Sequence, residues 1–277
     1  SKTTDEIFFA FRFNPNAYWC HLKPTTDDRL IFASEYAAFE TDRIGYHGGT
    51  KERRLGQPGS MESGLPQERT SSIASFVAEY MESWNVYHFH DTGETAYVKK
   101  TAQLADNDYL RADAGNLAAF LTSIRNSLQY QSIVSMIQRV APFFQDFVLE
   151  PERNNPETIR LRWKHRGTEA YFDASDLSDG TLRFICLSTL LLQPDLPRTI
   201  ILDEPELGLH PYALQLLAGL LRSAASRTQV IASTQSVTLA NQLTPADVIV
   251  VDRVDEASQF RRLSDMNLEA WLGEYAI

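Results

Sequence analysis

Two adjacent carboxylates, Asp203 and Glu204, close the apolar run Thr199-Ile200-Ile201-Leu202 and are followed by Pro205. An apolar run of that length predicts a buried strand, and the carboxyl end of such a strand is where open α/β sheets place their ligands. There Asp203 can hold Mg²⁺ on a nucleoside triphosphate, directly or through its waters. Glu204, pointing the other way, can orient and polarise an attacking water. Upstream, Leu177-Ser178-Asp179-Gly180-Thr181 offers a hydroxyl, a glycine and free backbone N–H groups where the apolar helix 182–192 begins. A helix start of that kind favours anions. Both stretches point to phosphate chemistry.

Each also has a plainer alternative. Ser-Asp-Gly is ordinary turn chemistry, and strand-end acids can cap a following helix. An acid beside a phosphate is repulsive, so Asp179 is expected to face away or to cap its own helix. Glu206 stands where a helix or turn begins, and either complements its dipole or serves a metal or a cross-subunit contact. His88 and His90 share one face of a strand next to Asp91, but no third Cys or His is near, and the alternation with Tyr87 and Phe89 marks a two-faced strand. In the segment 158–166, Arg160, Arg162, Lys164 and Arg166 alternate with Ile159, Leu161 and Trp163. That pattern is either a solvated outer face or a basic stripe for nucleic-acid phosphates.

The elements that must hold these groups follow from pattern. Segments 7–13, 17–22 and 30–39 are rich in aromatic and β-branched residues, with Asn14-Pro15-Asn16 and 24–28 between them, so an antiparallel meander is expected. Segment 41–70 is glycine-rich and charged without period, which predicts a long exposed loop. A helix is expected over 71–84, a strand over 85–90, and a long helix or broken pair over 116–140 capped by Asn116. Strands over 143–149 and 158–165 flank a turn at Arg153-Asn154-Asn155-Pro156. From Leu177 onward the order is helix, strand 199–203, helix 211–223, strand 228–233, short helix 236–242 and strand 247–252. That alternation argues for an α/β fold with a parallel sheet and crossover helices. It divides the chain into an antiparallel β and helical lobe, 1–170, and an α/β lobe, 171–277.

The chain has 277 residues and a net charge of −10, so no global basic field draws it onto nucleic acid. Its two cysteines, Cys20 and Cys186, are far apart and suit free thiols in a reducing compartment. No signal peptide or uninterrupted apolar span is present, and a cytoplasmic location is the expectation.

Leu177–Thr181 resembles the signature motif of ABC-type ATPases, although ABC transporters usually carry Gly-Gly-Gln where Asp179-Gly180-Thr181 stand here. The segment 200–204 resembles their Walker B strand and its catalytic glutamate. The continuation Asp203-Glu204-Pro205-Glu206-Leu207-Gly208-Leu209-His210-Pro211 is similar to the RecF/SMC/OLD-like branch of prokaryotic AAA-type ATPases, and the likeness extends to 84–91, 116–119 and 141–144. The resemblance implies an ABC-type head in which ATP and Mg²⁺ are sandwiched between two protomers of a homodimer. Asp203 would take the metal and Glu204 the water. Ser178, Asp179, Gly180 and Thr181 would meet the γ-phosphate held by the partner protomer. Arg183, just inside the helix, either reaches a phosphate or a facing carboxylate or is a surface residue. His210 falls in the D-loop. Gln235 falls in the switch loop, where many relatives have histidine; it can donate a hydrogen bond but cannot take a proton. Roles in DNA maintenance or anti-phage defence follow for such heads, with a nuclease or toxin effector as partner. So does a rival, a nucleotide-gated scaffold that hardly turns over.

One required part is absent. No Gly-x4-Gly-Lys-Ser/Thr loop occurs in the sequence, and Gly45, Gly48, Gly49 and Lys51 have the wrong spacing. A longer protein that supplies the P-loop is therefore expected, with this chain inactive on its own.

Overall fold

Short aromatic-rich strands separated by turns build the first sheet, an antiparallel meander of β1 (Ile7–Phe13), β2 (Asn16–Pro24) and β3 (Leu30–Phe39), extended by β4 (Lys51–Arg54). The computed structural model describes residues 5–39, 51–68, 71–255 and 257–265. The closest glycine cluster to a P-loop, Gly45 to Gly49, lies outside them. The expectation of one long loop over 41–70 is corrected for 51–68. Lys51-Glu52-Arg53-Arg54 pairs antiparallel with β3 and is exposed along its whole length. An edge strand with both faces wet carries charge instead of period, which is why no alternation marked it.

Helix α1 (Ser72–Glu82) follows Ser71 as expected, and buries Ala74, Val77 and Ala78 with Tyr18, Cys20 and Leu55 in the first core. Glu35, only 2% exposed, lies in the same region. Its carboxylate accepts from Tyr18 Oη (2.7 Å) and from Ser63 Oγ and the Gly64 N–H (2.8 Å), fastening the segment 55–64 to the sheet.

The chain divides into two units, Ser1–Trp84 and Asn85–Ile277. The second opens with β5 (Trp84–Tyr87) and the short β6 (Ala102–Gln103). The segment 116–140 forms a broken pair, α2 (Leu117–Ser123) and α3 (Leu128–Val140). Ser127 caps α3 by accepting from the Tyr130 N–H. Asn116 caps nothing with its side chain. It is fully buried, accepts from the Arg111 N–H (2.9 Å), and donates to the carbonyls of Asp106 and Tyr109. It organises the loop before the helix.

The strand expected over 143–149 is β7 (Phe144–Val148), and the single strand expected over 158–165 is corrected to two, β8 (Thr158–Ile159) and β9 (Arg162–His165). The chain breaks at Arg160-Leu161: β8 pairs with β6, whereas β9 pairs with β7 and β10 (Tyr171–Asp173). The alternation survives the break, with Ile159, Leu161 and Trp163 buried. Then come α4 (Asp179–Leu192), β11 (Thr199–Asp203), α5 (Pro211–Ala225), β12 (Gln229–Ser233) and α6 (Val237–Ala240). β11 and β12 pair in parallel with α5 as their crossover, and β5 is the third strand, in the order β12-β11-β5.

The expectation that 247–252 continues the parallel sheet is corrected. The strand is β13 (Ile249–Val254), and it forms an antiparallel hairpin with β14 (Ala257–Arg262). One continuous core in this unit runs from Tyr87 to Leu239, with nearly all of α4 inside it. The lobe boundary expected near 170 therefore falls within this core.

Candidate functional site

Because β11 is buried and runs parallel to β12, the two strands deliver Asp203 and Ser233 side by side at their carboxyl ends. Asp203 is exposed, and its Oδ1 accepts from the Ser233 hydroxyl. Among the described residues its Oδ2 has no hydrogen-bond donor. The chain turns at once: Glu204 has φ +40°, a left-handed conformation that costs a non-glycine residue of order 1 kcal/mol or more. The peptide joining the two acids is gripped on both sides. Its N–H, from Glu204, donates to the Ser233 carbonyl (3.1 Å), and its carbonyl, from Asp203, lies 2.7 Å from His90 Nε2. That contact assigns the Nε2–H tautomer to His90, since a carbonyl can only accept.

Past β12 the chain returns over the acids. Gln235 Nε2 donates to Glu204 Oε1 at 2.6 Å. Glu206 Oε1 accepts from the Gln235 N–H at 3.0 Å and from Thr234 Oγ1. Asp203, Glu204, Glu206, Ser233 and Gln235 thus form one connected group, with His90 behind it. His90 and Ser233 were missed by sequence reasoning as parts of this group. The signal was position: Ser233 ends β12, and His90 closes the strand expected over 85–90, although β5 itself ends at Tyr87.

The other expected cluster is placed differently. Ser178 caps α4: its Oγ accepts from the Thr181 N–H (3.2 Å) and lies 2.8 Å from Thr181 Oγ1. Asp179 is exposed in the first turn, where its charge complements the helix dipole. Gly180 is a packing glycine. A Cβ there would lie 2.3 Å from the Gly208 carbonyl oxygen, so the segment after the acids rests directly on the first turn of α4. His210 caps α5 through Nδ1, accepting from the Tyr212 N–H.

Arg183 points inward. It is 5% exposed, and its guanidinium donates to three backbone carbonyls: Phe89 from Nε (2.9 Å), His90 (3.0 Å) and Leu207. Turned inward, it ties the segment after β5 to the segment after Glu204, and three of its five N–H groups are spent on backbone carbonyls. Burial lowers its pKa below the usual guanidinium value, and the Asp179 charge works against that shift. Beside it, burial pushes the Cys186 thiol up to about 12, which keeps it protonated and unreactive.

The basic segment is only partly free. Arg160 and Arg166 are exposed. Arg162 donates to the Glu150 carbonyl, and Lys164 sits near Glu169 and over the Tyr171 ring. His88 is exposed and His90 is engaged with Asp203. Among the described residues no group of three or more His, Cys, Asp or Glu side chains could hold a metal by itself, and no helix is long and apolar enough to cross a membrane.

Comparison with known proteins agrees with this architecture. The family described as "AAA domain, putative AbiEii toxin, Type IV TA system" matches residues 28–241. Among solved structures, an Smc head bound to the C-winged helix domain of ScpA aligns at 12% identity and TM-score 0.50, covering 89% of this chain and 74% of that one. The SMC head domain from Thermotoga maritima aligns at 14% identity and TM-score 0.39, covering 90% and 74%. Curated proteins give no match. With its family matched over most of its length, the chain belongs to this AAA-domain family and has the mixed α/β fold of an SMC-like ATPase head.

Proposed function

We propose that the acids at the end of β11 are the hydrolytic centre of an ATPase head. The observation that carries this is the 2.6 Å bond from Gln235 Nε2 to Glu204 Oε1. It joins a strand-end carboxylate to an amide 31 positions away, at the edge where α/β sheets place their ligands. Asp203 fits a cation bound mainly by phosphate and water oxygens, because it is exposed and has one carboxylate oxygen with no donor among the described residues. Bound Mg²⁺ would supply charge neutralisation at the phosphates of ATP. Glu204, fixed by its clamped peptide, orients the attacking water and draws its proton. Gln235 reports the γ-phosphate by exchanging its bond to Glu204 for one to phosphate oxygen.

In the same reading, Ser178, Gly180 and Thr181 face the nucleotide of a second copy, so the working unit is a homodimer closed by ATP. Anion binding there competes with the Ser178 cap, which makes the contact conditional on closure. A role in DNA maintenance or in anti-phage defence with a nuclease or toxin effector is the wider proposal. DNA contact would fall to the exposed Arg160 and Arg166 more than to Arg162 and Lys164, which are half-buried. Salt-dependent DNA binding lost on neutralising Arg160 and Arg166 checks that part.

One observation favours a second reading. Gln235 occupies Glu204 and cannot accept a proton, as a nucleotide-gated scaffold with slow turnover would require. ATP turnover and dimerisation of the intact gene product, beside Glu204→Gln, separate the two. Loss of turnover by about 100-fold or more, with the variant collecting as an ATP-bound dimer, supports the hydrolytic centre. Tight ATP binding by the wild type without release favours the scaffold. Absence of both binding and dimerisation removes the ATPase reading.

A further inference from the structure

We infer that Glu206 is a positioning residue for Gln235, neither a metal ligand nor a contact to a second copy; the inference rests on the hydrolytic reading of Glu204 and Gln235. A single carboxylate oxygen, Glu206 Oε1, accepts from the Thr234 hydroxyl and from the Gln235 N–H at 3.0 Å. Thr234 Oγ1 in turn accepts from the Ser236 N–H at 3.0 Å. Three consecutive residues of the loop after β12 are thereby referred to one acid. With its backbone held there, Gln235 extends its amide 2.6 Å from Glu204 Oε1.

Glu204 and Glu206 thus hold the same loop at two points, the first through the Gln235 side chain and the second through its backbone. Pro205 between them is buried, and Glu204 has its φ at +40°, so the spacing between the two acids is set by a restrained turn. Among the described residues the other oxygen, Glu206 Oε2, is buried without a partner. An unpaired buried carboxylate oxygen costs stability. A residue kept only for stability would not carry that cost, whereas one that must aim a catalytic amide can. The same geometry argues against a metal, since Oε1 is taken by the loop and Oε2 is buried, unlike the exposed carboxylate of Asp203.

The test is steady-state ATP turnover by the intact protein with Glu206→Ala, Gln235→Ala and the double variant. Glu206→Ala is expected to lower kcat by about 10- to 100-fold with KM for ATP within about twofold, as for a misplaced catalytic group. Gln235→Ala should fall by a similar factor, and the double variant no further than the worse single, because Glu206 acts through Gln235. Thr234→Val approaches the same bond from the other side; it should lower kcat in the same sense and keeps the test open should Glu206→Ala not fold. Glu206→Gln, which retains a carbonyl oxygen for the loop, should recover part of the loss. Multiplicative loss in the double variant, or a kcat unchanged by both Glu206→Ala and Thr234→Val, overturns the inference. A wild type without turnover fails one step earlier, at the hydrolytic reading itself.

Discussion

Two glutamates of this chain, Glu35 and Glu204, are held by hydrogen bonds in opposite ways. Glu35 in the first unit is buried, and both its oxygens are supplied by Tyr18, Ser63 and the Gly64 N–H. Glu204 in the second unit is half-buried on left-handed backbone, with Gln235 as its one hydrogen-bond donor among the described residues. A buried acid whose acceptors are filled has nothing left to offer a ligand; it fastens one chain segment to another. An acid on strained backbone with lone pairs open to solvent stabilises little and can do chemistry. The side chains are the same, and the difference lies in their surroundings: Glu35 stands inside β3, whereas Glu204 is the first residue past β11. It also appears in Tyr18, whose hydroxyl is pushed above its ordinary pKa by burial first and then by Glu35.

The sharpest way to break the comparison is to exchange the expected penalties. Glu35→Ala leaves the Tyr18 hydroxyl and the Gly64 N–H without their acceptor, and should cost about 3 kcal/mol of stability in urea unfolding. Glu204→Gly removes the side chain and relieves the positive φ, so it should unfold at no lower urea concentration than the wild type while losing turnover. If Glu204→Gly is the less stable of the two, the strand-end acid is structural and the contrast fails.

How far the site was legible follows the same division. The acid pair stood out because an apolar run of strand length ends in two charges, and the alternation downstream located β11, α5 and β12. Ser178 was legible as a cap because the rule is local. Arg183 was not: its acceptors at Phe89, His90 and Leu207 lie 94, 93 and 24 positions away. A cation beside a glycine-containing helix start looks like a phosphate ligand until that packing is known. Asn116 failed for a related reason, since its position fits a cap but burial gave its amide three backbone partners in the loop before it. β4 carried no pattern, and β13 was assigned to the wrong sheet because hairpin pairing depends on a partner, β14, with no apolar period of its own.

Gly180 sharpens the comparison at the edge of the site. In the phosphate reading it is glycine so that backbone can approach an anion; in the packing reading it is glycine because Gly208 is in the way. Gly180→Ala brings a Cβ to within 2.3 Å of a backbone carbonyl oxygen unless the segment moves. The expected loss is about 2 kcal/mol, seen in thermal melting with and without ATP. Unchanged melting with loss of ATP-dependent dimerisation alone would assign the glycine to the phosphate instead.

The smallest expected effect concerns how Glu204 is kept in its strained conformation. The Asp203–Glu204 peptide is held by Ser233 on its N–H side and by His90 Nε2 on its carbonyl side. A left-handed residue persists when the surroundings over-determine it, so removing one of two clamps should loosen Glu204 without releasing it. His90→Phe keeps a ring in place and deletes the donor. It should lower kcat by about 10-fold, equivalent to about 1.4 kcal/mol at the transition state, and leave ATP binding intact. His90→Gln, whose amide can donate to the same carbonyl, should recover part of the loss. A kcat unchanged in His90→Phe would mean that Ser233 alone fixes the peptide. The contrast with Glu35 would then rest on backbone strain and one backbone hydrogen bond, from the Glu204 N–H to the Ser233 carbonyl, which no side-chain substitution at Ser233 removes.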